Sequence, residues 1–203
     1  MPYLIGIAGG TACGKTSILT EIQASLPAGS VCIVSQDNYY RPITEQKTDV
    51  NGVVNFDEPE SIDLAHFLQD VRTLMAGKSI EKTEYTFNND QATPKIIRTN
   101  ACEIIVVEGL FVFDYQPIAE LLDLKIFVDA TDEIRLQRRI KRDGVERGYP
   151  EHDVRYRWQH HIQPSFERYL LPHKTHCDLV IMNNSSYQKG VSIIVNHLKC
   201  VLL

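Results

Sequence analysis

No two cysteines in this chain are spaced as C-x-x-C, and no apolar run is long enough to cross a bilayer. The five cysteines (Cys13, Cys32, Cys102, Cys177, Cys200) are odd in number and scattered. That excludes a paired-cysteine zinc site and argues for reduced thiols rather than a disulfide framework. The most apolar stretch, residues 104–113, is interrupted by Glu108 and is half the length a spanning helix needs. The N-terminus has no basic region before its first strand, so no signal peptide is expected. A formal charge of −5 argues against a protein that coats nucleic acid or an anionic membrane. The histidines (His160-His161; His173 and His176 beside Cys177) supply only part of a zinc ligand set. No internal repeat or low-complexity tract is present. These absences leave an expected cytoplasmic protein of 203 residues, one domain over 1–203, with no nucleic acid or membrane partner.

What is present begins at Gly9-Gly10-Thr11-Ala12-Cys13-Gly14-Lys15-Thr16, which fits the phosphate-loop pattern G-x-x-x-x-G-K-[ST]. It follows the apolar run Tyr3–Ala8 and precedes Ser17-Ile18-Leu19-Thr20-Glu21-Ile22, giving strand, loop and helix in the required order. Glycines let backbone N–H groups curl round an anion, and the helix terminus adds partial positive charge. Lys15 is expected on the β/γ-phosphates and the Thr16 hydroxyl on Mg²⁺, which makes ATP with Mg²⁺ the expected ligand. The thiol of Cys13, if exposed beside that helix terminus, is expected to be acidified and reactive.

Further apolar runs at 30–34, 102–107, 124–129 and 178–182 read as buried strands. Helical patterns fall at 61–76 (stopped by Gly77), 131–142, 153–169 and 187–202. The alternation predicts an α/β fold, a phosphate-loop-type parallel sheet with helices on both faces. Residues 80–99 alternate round Asn88-Asn89-Asp90 and predict a small β-hairpin excursion within 79–100. Residues 43–56 read as a loop.

Ligands of open α/β sheets sit at the carboxyl ends of the strands, where this chain places Asp37, Glu108 and Asp129. Glu108, directly after an apolar strand, suits a metal through water, and Asp37 suits a general base. Asp129 reads more readily as a cap. Arg135, Arg138, Arg139 and Arg142 are spaced to share one helix face, followed by Arg147. They predict a phosphate-clamping lid over about 135–158, since guanidinium forks suit phosphate oxygens.

The ordered set of motifs resembles the uridine–cytidine kinase family over roughly residues 3–185. It comprises the phosphate loop, Ser35-Gln36-Asp37-Asn38-Tyr39-Tyr40-Arg41, Asn55-Phe56-Asp57 with Pro59, and Tyr85-x-Phe87. Glu108-Gly109, Arg138-Arg139-x-x-Arg142-Asp143, Glu146-Arg147-Gly148 and Pro164-x-Phe166-x-x-Tyr169-x-x-Pro172 complete it. The resemblance implies transfer of the ATP γ-phosphate to the 5′-hydroxyl of a pyrimidine ribonucleoside, and a homo-oligomer, commonly a tetramer. It implies Asp37 as base, Asp57 on the ribose hydroxyls, and Tyr40, Tyr85 and Phe87 around the base. It also implies Arg139, Arg142 and Arg147 as lid residues. The chain departs from the family at three base-contacting positions, with Asp90 for His, Tyr149 for Arg and Arg157 for Gln. Asp90 would accept from an exocyclic amine, so cytidine preference is expected. Other readings remain open at this stage: another small-molecule phosphate-loop kinase, a nucleotide-dependent switch, or a non-catalytic nucleotide-binding protein. Against the switch stands the lack of an N-K-x-D motif.

Overall fold

The computed structural model describes residues 1–86 and 93–203, and of Glu146 the backbone only. Five strands form a parallel sheet in the order β2-β5-β1-β6-β7. They are β1 (Tyr3–Ala8), β2 (Val31–Ser35), β5 (Ile104–Gly109), β6 (Leu124–Asp129) and β7 (Leu179–Met182). The antiparallel pair β3 (Ile80–Thr83) and β4 (Ile96–Thr99) stands apart as a second sheet. This is the predicted hairpin excursion; its turn at Asn88-Asn89-Asp90 lies outside the described residues.

Because strand side chains alternate between faces, each apolar run feeds two cores. Leu4, Ile105, Val107 and Phe127 face one layer with Phe67, Phe111 and Phe113. Ile5, Ile7, Val106, Ile126 and Val128 face the other with Ile18, Ile22, Ile194 and Leu198. The second layer is supplied by α1 (Lys15–Ser25) and the last helix, the first partly by α2 (Leu64–Met75). In α2, Asp63 caps the start by accepting from the His66 amide at 3.1 Å, and Gly77 ends it at φ +77°. Both signals are sequence-local, and the helix forms where they place it. Gly6 is forced by packing, since a Cβ there would lie 2.5 Å from Leu122 Cδ1 and 2.7 Å from Phe113 Cε1.

A short α3 (Gln116–Ala119) precedes β6, and α4 (Asp132–Glu146) follows it, running one turn past the expected end at 142. The single helix expected over 153–169 is instead a composite. It runs through α5 (Glu151–Arg157), a π-turn at Trp158–Ile162, α6 (Gln163–Ser165), a second π-turn at Phe166–Leu170 and α7 (Leu171–Lys174). Each π-turn ends two residues before a proline, Pro164 or Pro172. Proline has no N–H for the i−4 carbonyl and its ring crowds that oxygen; widening the turn relieves both. The chain closes with α8 (Gln188–Val201).

β1 lies between β5 and β6, neither adjacent to it in sequence. The chain therefore leaves the sheet in opposite directions on either side of β1, which opens a crevice beyond its carboxyl end. The phosphate loop emerges there.

Candidate active site

The loop's geometry follows from its glycines. Gly9 (φ +155°) and Gly14 (φ +104°) adopt conformations that side chains resist. A Cβ on Gly9 would stand 2.1 Å from the Val128 carbonyl oxygen, and one on Gly14 2.2 Å from Asn183 Nδ2. Asn183 Nδ2 in turn donates to the Cys13 carbonyl at 2.8 Å. Ala12 carries the only non-glycine positive φ among the described residues, +60°. A left-handed alanine costs of order 1–3 kcal/mol, which the surrounding loop must hold in place. No side chain caps α1, so its first amides are free to meet an anion. Lys15 Nζ donates to the Gly9 carbonyl at 2.9 Å, which poises it across the mouth of the loop.

The cleft beside this loop has a volume of about 350 Å³. Most of the sequence-predicted residues meet there. Thr11, Ala12, Gly14, Lys15, Thr16 and Ser17 form its floor; Asp37 and Glu108 stand at the strand ends. Tyr40, Asp57, Tyr85, Tyr149 and Arg157 line the far side, and Arg139, Arg142 and Arg147 the roof. Phe87 and Asp90 lie outside the described residues. Gly9, Gly10 and Cys13 are not on the cleft wall but form the back of the loop.

Two expectations are corrected here. The Cys13 thiol is not exposed: it is fully buried among Ile7, Val128 and their neighbours, and burial raises its pKa rather than lowering it. Lys15 lowers it, but desolvation outweighs that attraction, so a reactive thiol is not expected. The arginine stripe also divides. Arg135 is fully buried behind the loop, 4.0 Å over the Phe166 ring and 5.1 Å from that of Trp158. Its guanidinium takes the place a Cβ on Gly10 would fill. Arg138, Arg139 and Arg142 alone of the four reach the cleft. Asp129 accepts from the Ala130 amide at 2.9 Å and from Lys174 Nζ at 2.5 Å, a structural use as its cap-like position suggested.

Sequence reasoning missed the group that organises the roof. Asp143, 1% exposed, takes Arg139 Nε at 3.0 Å, Arg142 at 2.8 Å and Arg147 Nη1 at 3.7 Å. Arg139 Nη1 also donates to Thr11 Oγ1 at 2.9 Å, tying α4 to the loop. The signal was a lone acid inside a basic run. Phe56 was missed as well. Its ring lies 6.0 Å from that of Tyr40, which lies 5.3 Å from that of Tyr85, making an aromatic wall.

The electrostatics mark two ends of the cleft. Burial pushes Glu108 up to about 7, and the neighbouring Asp37 charge adds to it; Lys15 and a hydrogen bond from the Ser35 hydroxyl oppose the shift. Burial raises Asp57, against the pull of Arg139, His161 and Arg157. Tyr40 is raised well above the usual phenol value, by burial first and then by the Asp37 and Asp57 carboxylates. A hydroxyl that feels both acids places both of them near it.

These residues fit ATP with Mg²⁺. A loop whose glycines pack too closely on Val128, Arg135 and Asn183 to carry a Cβ keeps the backbone curl that suits phosphates, and a buried carboxylate pushed up to about 7 beside Asp37 suits a cation. Among the described residues no three-residue His/Cys/Asp/Glu metal cluster occurs, and no helix is long and apolar enough to cross a membrane.

Residues 4–188 match the profile of the phosphoribulokinase/uridine kinase family. Uridine-cytidine kinase B of Dictyostelium discoideum is 33% identical over 201 residues, covering 99% of this chain and 83% of that protein. The chloroplastic uridine/cytidine kinase UKL1 of Arabidopsis thaliana is 34% identical over 97% of this chain, which spans 41% of the plant protein. A solved structure described as a possible uridine kinase from Bacillus stearothermophilus superimposes with TM-score 0.59 at 16% identity, covering 88% of each chain, and supports the fold. With the family profile matched over residues 4–188 and a relative 33% identical over 99% of this chain, the chain belongs to the phosphoribulokinase/uridine kinase family, phosphotransferases that act on a hydroxyl group with ATP and Mg²⁺.

Proposed function

We propose that this chain phosphorylates the 5′-hydroxyl of a pyrimidine ribonucleoside, uridine or cytidine, as in pyrimidine salvage. The observation that carries the reading is the shared cleft: Lys15 and the phosphate-loop residues, Asp37, Asp57 and the rings of Tyr40, Phe56 and Tyr85 all line it. A carboxylate such as Asp57 accepts from two vicinal hydroxyls and so rejects an acceptor lacking one. The aromatic wall offers faces to a flat base. Asp37 takes the proton of the attacking hydroxyl, while Arg139, Arg142 and Lys15 stabilise charge on the phosphoryl group. Thr16 and Glu108 would hold Mg²⁺, which when bound would supply positive charge against the phosphates. A cytoplasmic homotetramer accompanies the reading, on family resemblance.

The test is ADP release from ATP against a panel of ribonucleosides and 2′-deoxyribonucleosides. Release that depends on uridine or cytidine and drops for the 2′-deoxy forms supports the proposal. Release with no nucleoside dependence overturns it.

Glu108 gives a pH prediction. Its folded pKa, about 7, lies above the usual 4.5. Its contribution to stability is therefore complete below about 4.5 and is lost as pH rises through about 7, because the folded state must then hold a buried charge. In nucleotide-free protein, Glu108→Gln should remove that loss. The melting temperature of wild type relative to the variant should fall between acid and neutral pH. A pH-independent difference would contradict the assignment.

A further inference from the structure

The wall that carries Phe56 and Asp57 belongs to a segment with little secondary structure of its own. Between Tyr40 and Asp63 the backbone is ordered by two 3-10 turns, two isolated bridges (Tyr40 with Ile62, Thr48 with Val54) and a few local backbone bonds, among them Asp49 N–H to the Val53 carbonyl at 2.9 Å and Asn55 N–H to the Lys47 carbonyl at 2.8 Å. A side-chain cluster outside the cleft ties its tip to the helix that begins at Glu151. Asp49 Oδ1 accepts from the amides of Asn51 and Val53, each at 2.9 Å. Asp49 Oδ2 accepts from the Tyr156 hydroxyl at 2.7 Å and pairs with His161 Nε2 at 2.8 Å. The Tyr156 oxygen accepts from Asn51 Nδ2 at 2.7 Å. One residue on, Arg157 Nη1 donates to the Val54 carbonyl at 2.7 Å.

The anchoring side is rigid. His161 is 2% exposed and sits in the first π-turn, whose extra residue per turn turns it toward the segment. The grip is also electrostatic: the Tyr156 hydroxyl, then the Val53 amide and His161, hold Asp49 well below the usual carboxylate range. The same histidine acts on Asp57, lowering its pKa against burial. His161 thus acts on Asp49 by direct contact and on Asp57 through its charge.

We infer that Asp49, gripped by Tyr156 and His161, is a positioning residue that holds residues 48–57 so that Phe56 and Asp57 face the acceptor. The inference rests on the reading of Asp57 as an acceptor-side group. Without the grip the segment must be ordered when the acceptor binds, and that ordering weakens affinity. The donor side, Lys15 and Thr16, stands on α1 and its loop and is not touched. The effect should therefore fall on one substrate.

Asp49→Asn and His161→Gln should each raise the nucleoside KM, about 10- to 100-fold, the scale of a small misplacement. The KM for ATP and kcat at saturating nucleoside should stay at wild-type values. Tyr156→Phe, which deletes one hydroxyl from a partly exposed ring, should raise the same KM to a smaller extent and decides the matter if the first two variants do not fold. An unchanged nucleoside KM, or a fall in kcat with a rise in both KM values, overturns the inference. Amide exchange on the same variants gives an independent reading. Faster exchange at Asn51 and Val53 with α1 unaltered supports the latch, and unaltered exchange there overturns it. A wild-type protein with no nucleoside-dependent turnover would sink the proposed function, and the exchange result would still judge the latch.

Discussion

Asp37→Asn is expected to lower kcat by roughly 10²–10⁴, the usual contribution of a general base, with the KM for ATP little changed. Asp37 is the second residue of a 3-10 turn, Gln36–Tyr39, directly after β2, and its amide donates to Ser35 Oγ at 3.3 Å. The turn brings Asp37 into the cleft that Lys15 also lines. Its charge is felt by both Glu108 and Tyr40. Asparagine keeps the shape and removes the proton acceptor, so binding should survive while transfer does not. Steady-state kinetics with both substrates varied separate the outcomes. An equal loss of ATP affinity would move Asp37 from the acceptor proton to the cation.

Asp143→Asn should cost both stability and turnover. Three arginines converge on this buried carboxylate, two of them within 3.0 Å. Removing one charge from a buried pair leaves the partner uncompensated and costs about 3–5 kcal/mol. At about 2–4 °C per kcal/mol for a chain of this size, the melting temperature should drop by roughly 10 °C. Arg139, Arg142 and Arg147 would then repel one another, and a displaced Arg139 would lower kcat by up to about 10²-fold. Added phosphate or ATP should restore part of the melting temperature, because anions can replace the lost carboxylate. A variant with wild-type melting and kcat would show that the roof is held by Thr11 and packing instead.

The legible part of this protein was local. The phosphate loop and the terminator Gly77 each act within a few residues, and both lie where the pattern put them, whereas the helix before Gly77 begins at Leu64, capped by Asp63, and not at 61. Strand runs were legible because a buried parallel strand must be apolar on both faces. Arg135 shows where that reasoning stops. Spacing places it on one face with Arg139, yet the aromatic rings of Trp158 and Phe166, more than twenty positions away, take it into the interior. Cys13 fails for a related reason. Its position in the motif is fixed by sequence, but which way the thiol turns depends on the core packed beneath the loop.

The sequence by itself determined that a triphosphate cradle would follow the first strand of a parallel sheet, since glycine spacing and hydrophobic period are properties of short segments. Only the tertiary structure decided which charged groups share the cleft and which are buried out of it. Asp37, Asp57, Glu108 and Arg139 come from four separate stretches of chain, and their meeting is set by strand order and helix packing. The same packing fixes how deeply each carboxylate is buried, and burial gives the sign of the shifts at Glu108 and Asp57.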